Sequence, residues 1–161
     1  MKESSENILL IECNDNGILR LTLNDLDNKN ALSELMMQKL INAITESSKD
    51  NSIKVIVIAS TGNVFCSGHN LKEINEARKA DDSGESYYLE LFKTCSTLMQ
   101  LIVNCSKPVI AEVNGIATAA GCQLVASCDL AVSSNSAKFA TPGVNIGLFC
   151  STPMVALSRS V

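Results

Sequence analysis

The sequence predicts an α/β fold built on a parallel sheet. Two short apolar runs rich in β-branched residues, "KVIVIAS" and "PVIAEV", indicate strands buried on both faces, which is typical of parallel sheets. Segments with helical spacing of apolar residues separate the predicted strands, and this alternation favours parallel connections. The chain has 161 residues and shows neither an internal repeat nor a linker, so we expect one domain over residues 1–161.

The first part of the chain is expected to hold a hairpin and a helix. "NILLIE" and "GILRLTL" flank the turn signal "CNDNG", which predicts a β-hairpin. The helix is expected over "SELMMQKLINAITESSKD", with Ser33 as its N-cap. Its apolar stripe consists of Leu35, Met36, Leu40, Ile41 and Ile44. The first of the two buried strands then follows.

The middle of the chain predicts a polar surface segment and a long helix. "EINEARKADDSGESYY" is the most polar part and is expected to form a helical turn and then a surface loop. "ESYYLELFKTCSTLMQLIVNCS" predicts a long amphipathic helix that ends at Lys107 and Pro108. The second buried strand comes next.

The last part of the chain predicts two helices and two short strands. "AGCQLVASC" indicates a short helix, and "LAVSS" and "KFATP" indicate strands. "STPMVALSRSV" begins like a helix but reaches the end of the sequence without a stop signal. Its apolar residues are Met154, Val155, Leu157 and Val161. We therefore expect a domain that is interrupted at this point, with an exposed apolar face that favours self-association.

The composition excludes several kinds of protein. The net charge is −4 and the sequence has no Lys/Arg cluster, so we expect no nucleic-acid partner. His69 is the only histidine and no C-x-x-C pair occurs, so no metal site is expected. The seven cysteines are an odd number and indicate structural thiols in a reducing compartment. With no membrane span and no signal or transit peptide seen, we expect a cytoplasmic protein, or a mitochondrial-matrix one in a eukaryote.

Two segments rich in small residues predict a binding site. "NVFCSGHNLKEI" and "NGIATAAGCQ" each follow a buried strand and enter a helix, and their backbone N–H groups are expected to point outwards. Such groups can hold an oxyanion or a carbonyl oxygen. Close packing of the chain is the alternative explanation for the small residues.

Three motifs resemble the enoyl-CoA hydratase/isomerase (crotonase) superfamily. "VFCSGHNLKE" is similar to its F-x-x-G-x-D-L-K-E motif, and "LNDLDNKNALSELMMQKL" to its N-x-x-x-x-x-N-A-L segment. The run from "KPVIAEVNG" to "FATPGVNIGL" resembles a block with P-x-x-A-x-V-x-G, G-G-G and P-E-x-x-x-G. The resemblance implies a crotonase-like (ClpP/crotonase) spiral of β-β-α units that lacks its C-terminal helical part. It also implies an acyl-CoA ligand and a homo-oligomer, a trimer or hexamer in the family.

The resemblance also assigns roles within the site. The backbone N–H groups of His69 and Ala120 would hold the thioester oxygen, while Gln123 and Gly143 occupy the positions of the family's two catalytic glutamates. The residues expected to bind the coenzyme A thioester are Lys29, Asn30, Ala31, Ser67, Gly68, Asn70, Leu71 and Lys72. No resident cofactor is implied, because the thioester is itself the substrate or ligand. The implied function is that of an enoyl-CoA hydratase/isomerase-like protein, or of a non-catalytic acyl-CoA binder or inactive truncated remnant.

Other residues remain candidates for acid–base or nucleophilic chemistry. Glu112 either points to solvent at a strand end or acts as a base, and Asp129 is either a turn residue or a base. The His69 imidazole either lines the pocket or accepts a proton. Cys122 and Cys150 are either structural or nucleophilic. A hydrolase that pairs Ser67 with His69 is disfavoured, because sequence neighbours rarely have the required geometry.

Overall fold

Eight strands and five α-helices follow one another through residues 7–147 and 149–161, the part of the chain that the computed structural model describes. The strands are β1 (Leu9–Cys13), β2 (Ile18–Leu23), β3 (Val55–Ser60), β4 (Val64–Cys66), β5 (Val109–Val113), β6 (Ile116–Thr118), β7 (Leu130–Ser133) and β8 (Lys138–Ala140). The α-helices are α1 (Glu34–Lys49), α2 (Leu71–Ala77), α3 (Glu85–Val103), α4 (Ala120–Ser127) and α5 (Ser151–Ser160). Residues 1–6, which the expected domain includes, lie outside the described residues.

A five-stranded sheet has the order β1-β2-β3-β5-β7. β1 and β2 form the predicted antiparallel hairpin, and the other pairs are parallel, as the sequence predicted. The expectation that β3 is buried on both faces is wrong in part. Ile56 and Ile58 are fully buried, but Val57 is only half-buried. The reason is that Val57 pairs in register with Arg20 of β2, on a face of the sheet that carries charge.

A second, three-stranded parallel sheet has the order β4-β6-β8. The chain alternates between the two sheets, so that β3 and β4, β5 and β6, and β7 and β8 each form a pair that precedes one or more helices. This is the spiral of β-β-α units that the family resemblance implied. The sequence did not predict β4 and β6, because strands of three residues carry too little alternation to be recognised.

Helices α1 and α3 cover the five-stranded sheet and form the core with it. The Ser33 hydroxyl accepts a hydrogen bond from the Met36 N–H at 3.1 Å, which confirms the predicted N-cap. Met36, Leu40 and Ile44 are fully buried, whereas Leu35 is 47% exposed and does not belong to the stripe.

Helix α3 ends at Val103, before the predicted stop at Lys107 and Pro108. The side-chain amide of Asn104 donates to the carbonyl of Gln100 at 2.7 Å, and its backbone N–H donates to the same carbonyl. Asn104 thus satisfies a carbonyl of the last turn, and the helix needs no proline to end there.

Helix α5 has little cover. Pro153 is its only buried residue among those described, and Met154, Val155 and Val161 are 41%, 47% and 98% exposed. The Ser160 hydroxyl donates to the Ala126 carbonyl of α4 at 2.8 Å. An exposed apolar face on this helix was expected from the sequence. None of the described helices combines the length and the apolar character that a membrane span requires.

Candidate functional site

The two segments rich in small residues lie against each other. β4 and β6 are parallel neighbours, and each leads through a short turn into a helix, α2 or α4. Gly68 has a φ of +92°, and a Cβ atom at this position would lie 3.0 Å from the Ala119 Cβ and 3.2 Å from the Ala120 N. Glycine is therefore required here by both its backbone conformation and its surroundings. His69 follows Gly68 directly, so the backbone of the first turn reaches the start of α4.

Hydrogen bonds fix the relative position of the two turns. The Thr118 hydroxyl donates to the Ser67 carbonyl at 3.0 Å. The Gly68 carbonyl accepts from the Leu32 N–H at 2.8 Å, and the Ala119 N–H donates to the Ala140 carbonyl at 2.9 Å. Ala119 has a φ of +51°, a conformation that is uncommon for a residue with a Cβ atom. The site is thus held from β8 and from the segment before α1, as well as by its own strands.

The backbone N–H groups of His69 and Ala120 are available as donors. The hydrogen bonds that the described residues form in turns, loops and caps use neither group. Ala120 is the first residue of α4, and no side chain caps this helix. The first N–H groups of a helix have no partner within it and lie at the positive end of the helix dipole. Chemically, such groups can stabilise negative charge on a carbonyl oxygen.

The His69 ring lies inside the protein. Neither ring nitrogen has a hydrogen-bond partner among the described residues, and both are buried. The ring makes an edge-to-face contact with Phe92, with 5.8 Å between centroids and 89° between planes. Burial lowers the pKa of His69, although the nearby Leu32 backbone acts in the opposite direction. The imidazole is therefore neutral near pH 7, and no hydrogen bond orients it for proton transfer.

Gln123 lies on α4, three residues after Ala120, and is only 8% exposed. Its Oε1 atom is buried without a partner among the described residues. The side chain lines a cavity of about 660 Å³ between α3, α4 and α5, to which Phe92 and Arg159 also contribute. Gly143, in the 3₁₀ turn Pro142–Ile146, is absent from the described residues that line this cavity. Gln123 and Gly143 therefore do not line this cavity together.

The segment at residues 29–31 is tied to the first turn by its backbone. The Lys29 carbonyl accepts from the Ser67 N–H at 3.2 Å. Asn30 is fully buried; its amide donates to the carbonyls of Thr61 at 3.0 Å and Val64 at 2.8 Å, and accepts from the Asp25 N–H at 2.7 Å. The Asn30 side chain is thus engaged within the fold. Ala31 is buried beside it, so the two side chains offer no open surface to a ligand.

The start of α2 presents the remaining candidate binding residues. Asn70 caps the helix by accepting from the Lys72 N–H at 3.0 Å, and Leu71 is 69% exposed. The Lys72 ammonium donates to the Asn28 side chain at 2.9 Å. Asn28 and Asn70 line a polar groove of about 550 Å³. The carboxylates of Asp25, Asp27 and Glu73 also line this groove, so the Lys72 ammonium lies beside a surface that is mostly acidic.

The two acids that the sequence suggested as bases are both engaged elsewhere. Glu112 forms a two-pronged ion pair with Arg20, which lowers the pKa of the Glu112 carboxyl. The Glu112 side chain is 47% exposed, as expected for a strand end, and it also pairs with Arg20 on the same face of the sheet. Asp129 accepts from the Val109 N–H at 2.7 Å, in keeping with the expected turn role.

The nucleophilic alternatives also lack partners. Burial raises the pKa of the Cys122 thiol, which keeps it protonated. The Ser67 hydroxyl lies 3.5 Å from the Asn28 carbonyl, and the ring of His69 makes no hydrogen bond to it. No group of three or more His, Cys, Asp or Glu side chains is placed to hold a metal ion within the described residues. The backbone donors and the neutral Gln123 are thus the chemical features of the site.

Comparison with known proteins places this geometry in a family context. The model of the enoyl-CoA hydratase/isomerase family matches residues 13–160. Enoyl-CoA hydratase domain-containing protein 3, mitochondrial, of Xenopus laevis is 54% identical over 147 residues, which are 91% of this chain and 48% of that protein. The chain thus spans about half the length of this relative. The relative's name gives a mitochondrial location, whereas the cytoplasmic location expected from the sequence stays a prediction.

Solved structures of the same type superpose on most of the chain. The crystal structure of an enoyl-CoA hydratase from Mycobacterium smegmatis matches with a TM-score of 0.88 and 48% identity, over 97% of this chain and 59% of that one. That of human enoyl-CoA hydratase domain-containing protein 3 matches with a TM-score of 0.85 and 49% identity, over 94% and 58%. These matches agree with the β-β-α spiral described above.

Proposed function

Because the chain belongs to the enoyl-CoA hydratase/isomerase family, we propose that it binds an acyl-CoA thioester and holds the thioester oxygen with the N–H groups of His69 and Ala120. The observation that supports this most is the close approach of Gly68 to the Ala120 N across two neighbouring turns. In this proposal the two N–H groups stabilise the thioester oxygen as it gains charge and an enolate forms. Removal of one such donor typically raises a barrier by about 3 kcal/mol.

The route of the coenzyme A moiety follows from the groups around the first turn. Lys72 supplies a positive charge near the first turn, next to a groove whose lining includes Asp25, Asp27 and Glu73 as well as Asn28 and Asn70. The carbonyl of Lys29 accepts a hydrogen bond from the Ser67 N–H, in the turn that carries His69. We propose that residues 29–31 contact coenzyme A through their backbone only, because the side-chain amide of Asn30 is already hydrogen-bonded within the fold.

Acid–base catalysis has less support than thioester binding. By family resemblance, Gln123 and Gly143 replace two catalytic glutamates, and an amide orients water but does not take up a proton. Loss of general acid–base help typically lowers a rate by about 10²–10⁴ per group. The standard two-glutamate hydration is therefore not proposed. A hydratase/isomerase-like reaction through a stabilised enolate remains the first candidate, and a non-catalytic acyl-CoA binder or inactive remnant is the second.

Calorimetry with crotonyl-CoA and with free coenzyme A tests the proposal. We expect crotonyl-CoA to bind more tightly, since only the thioester offers a carbonyl to the two donors. Loss of the enone absorbance of crotonyl-CoA, followed in parallel, separates the two candidates. Binding without turnover supports the second candidate, and no binding of either compound refutes both.

The expected self-association also remains a prediction. Exposed apolar side chains on two strands support it, namely Leu130 and Val132 of β7 and Phe139 of β8. Patches of this kind are often covered by a partner in solution. Analytical ultracentrifugation of the chain measures the oligomer directly, and a monomer at every concentration would contradict the prediction.

A further inference from the structure

Strand β7 (Leu130–Ser133) has one edge that pairs with no other described strand. It is the last strand of the five-stranded sheet and pairs with β5 on one side only. The Asp129 N–H donates to the Val109 carbonyl of β5 at 2.9 Å, and backbone groups alternate in direction along a strand. The N–H and C=O groups of Leu130 and Val132 therefore point away from β5. Such unpaired groups form a template on which another strand can pair.

The side chains of β7 are also open to solvent. All four residues are exposed, and Leu130 and Val132 each expose 62% of their surface. The two side chains lie on the same face of the sheet, because they are two residues apart on a strand. β7 contains no charged residue and no proline, and its register with β5 is regular. It therefore lacks the features that normally keep an edge strand from pairing.

The other edges of the two sheets are protected. β1 carries the exposed Glu12, and β8 begins with the exposed Lys138. A charged side chain on an edge strand disfavours pairing with a second copy of that strand, because like charges approach each other. Beside β4, the side-chain amide of Asn30 donates to the Val64 carbonyl at 2.8 Å. Among the described strands, β7 is thus the edge that is left open to a partner.

We propose that two copies of the chain associate through antiparallel pairing of their β7 strands, with Ala131 opposite the partner's Ala131. The proposal rests on the self-association proposed above and names the strand through which it occurs. In an antiparallel pair, side chains that lie directly opposite each other share one face. This register places Leu130 opposite the partner's Val132 and Val132 opposite the partner's Leu130, so each exposed apolar side chain gains an apolar neighbour. Both residues of such a pair direct their backbone groups to the free edge, so the pair exchanges two hydrogen bonds.

The charges next to β7 also fit a second copy in this register. One carboxylate oxygen of Asp129 accepts from the Val109 N–H at 2.7 Å, which leaves the other oxygen available. Asp129 lies opposite the partner's Ser133, whose hydroxyl can donate to that oxygen. The two Asp129 carboxylates are about 13 Å apart along the strands, beyond the screening length of about 8 Å at physiological ionic strength.

The symmetry of the contact limits the assembly to a dimer. Each copy contributes the same strand, so the contact is isologous and leaves no β7 edge free. Pairing of β7 with β1 of a second copy would instead leave a free β7 on that copy and would grow into an open filament. The contact covers one short strand of each copy and is smaller than the roughly 800 Å² per partner of a standard interface, so we expect a dissociation constant in the micromolar range.

Sedimentation equilibrium of the 161-residue chain, over micromolar to millimolar concentrations, tests the proposal. Leu130→Lys should weaken the dimer at least about tenfold, because it removes two cross-strand apolar pairs and brings like charges together. The control Leu89→Lys adds the same charge at a residue of α3 that is 69% exposed, and should change the dissociation constant less than about threefold. A monomer at every concentration overturns this inference and the proposed self-association together. Equal effects of the two variants, or growth beyond the dimer, overturn this inference alone.

Cysteine cross-linking tests the register. Opposite residues of a pair without hydrogen bonds have Cα atoms about 4.5 Å apart, within the range in which a disulfide forms. Ala131→Cys should therefore give a disulfide-linked dimer on mild oxidation, seen on a non-reducing gel. Ser133→Cys is the matched control on the same face of β7, and it should not cross-link because its two sulfurs would be about 13 Å apart along the strands. The unchanged chain, which has seven cysteines, gives the background. Cross-linking of Ala131→Cys no greater than that background, or equal for both variants, overturns the proposed pairing.

Discussion

The close approach of Gly68 to the start of α4 can be tested by adding a single methyl group. Gly68→Ala has two costs. The φ of +92° disfavours any side chain, by about 1–2 kcal/mol. The new Cβ also lies 3.0 Å from the Ala119 Cβ and 3.2 Å from the Ala120 N, and overpacking of this kind costs about 1–3 kcal/mol. Because the Ala119 N–H is bonded to the Ala140 carbonyl, the neighbour has little freedom to withdraw.

Gly147→Ala is the matched control. Gly147 has a φ of +72°, and a Cβ there meets none of the described atoms within 4 Å. It should therefore show only the conformational cost of about 1–2 kcal/mol. Urea unfolding followed by circular dichroism gives both free energies of unfolding. We expect Gly68→Ala to lose about 1–3 kcal/mol more than Gly147→Ala. Equal losses would show that the two turns do not approach each other as described.

Three further predictions concern other residues of the site. Burial lowers the pKa of His69 below its ordinary value of 6.5, so the unfolded chain takes up a proton first and stability falls as the pH drops from 6.5 towards the lowered pKa. His69→Phe should remove this part of the pH dependence of stability, which is at most about 1.4 kcal/mol per pH unit. Urea unfolding of both proteins above and below pH 6.5 measures this difference. An unchanged dependence of the free energy of unfolding on pH would contradict the lowered pKa of His69. Asn30→Ala should lower the free energy of unfolding by about 3 kcal/mol or more, because three hydrogen bonds between the buried amide and partly buried backbone groups are lost together; a loss below about 1 kcal/mol would show that the amide is not needed. The double change Gln123→Glu and Gly143→Glu should raise the hydration of crotonyl-CoA by about 10²-fold or more if missing acids limit the reaction; no gain would show that another feature limits it.

The sequence predicted most of the helices and the longer strands, because their signals are local. A cap such as Ser33 and a β-branched run such as β3 are visible within a few residues. β4 and β6 were missed as strands for the opposite reason, since each has three residues and depends on neighbours that are distant in sequence. Only the family resemblance, through the β-β-α spiral that it implies, predicted the second sheet.

The site was predicted as a pair of turns, but its surroundings could not be. Small residues after buried strands indicated the two turns, and the structure places Gly68 beside Ala120. The engagement of the Asn30 amide and the contact of Phe92 with His69 depend on side-chain directions that no spacing reveals. The ion pair of Glu112 with Arg20 crosses a strand that lies between them in the sheet, so it follows from strand order and not from sequence.

The low burial of α5, which packs against α4 alone among the described helices with more than a few contacts, has a consequence for the cavity beside Gln123. Pro153 is the only described residue of α5 that is buried, while α3 and α4 contribute many residues to the core. Segments with so little buried surface open in isolation, at a free energy well below that of global unfolding. Amide hydrogens of α5 should therefore exchange with solvent earlier than those of α4. Helices α3 and α4 then stay in place while α5 opens and closes. The volume of the cavity is therefore an average over the positions of α5.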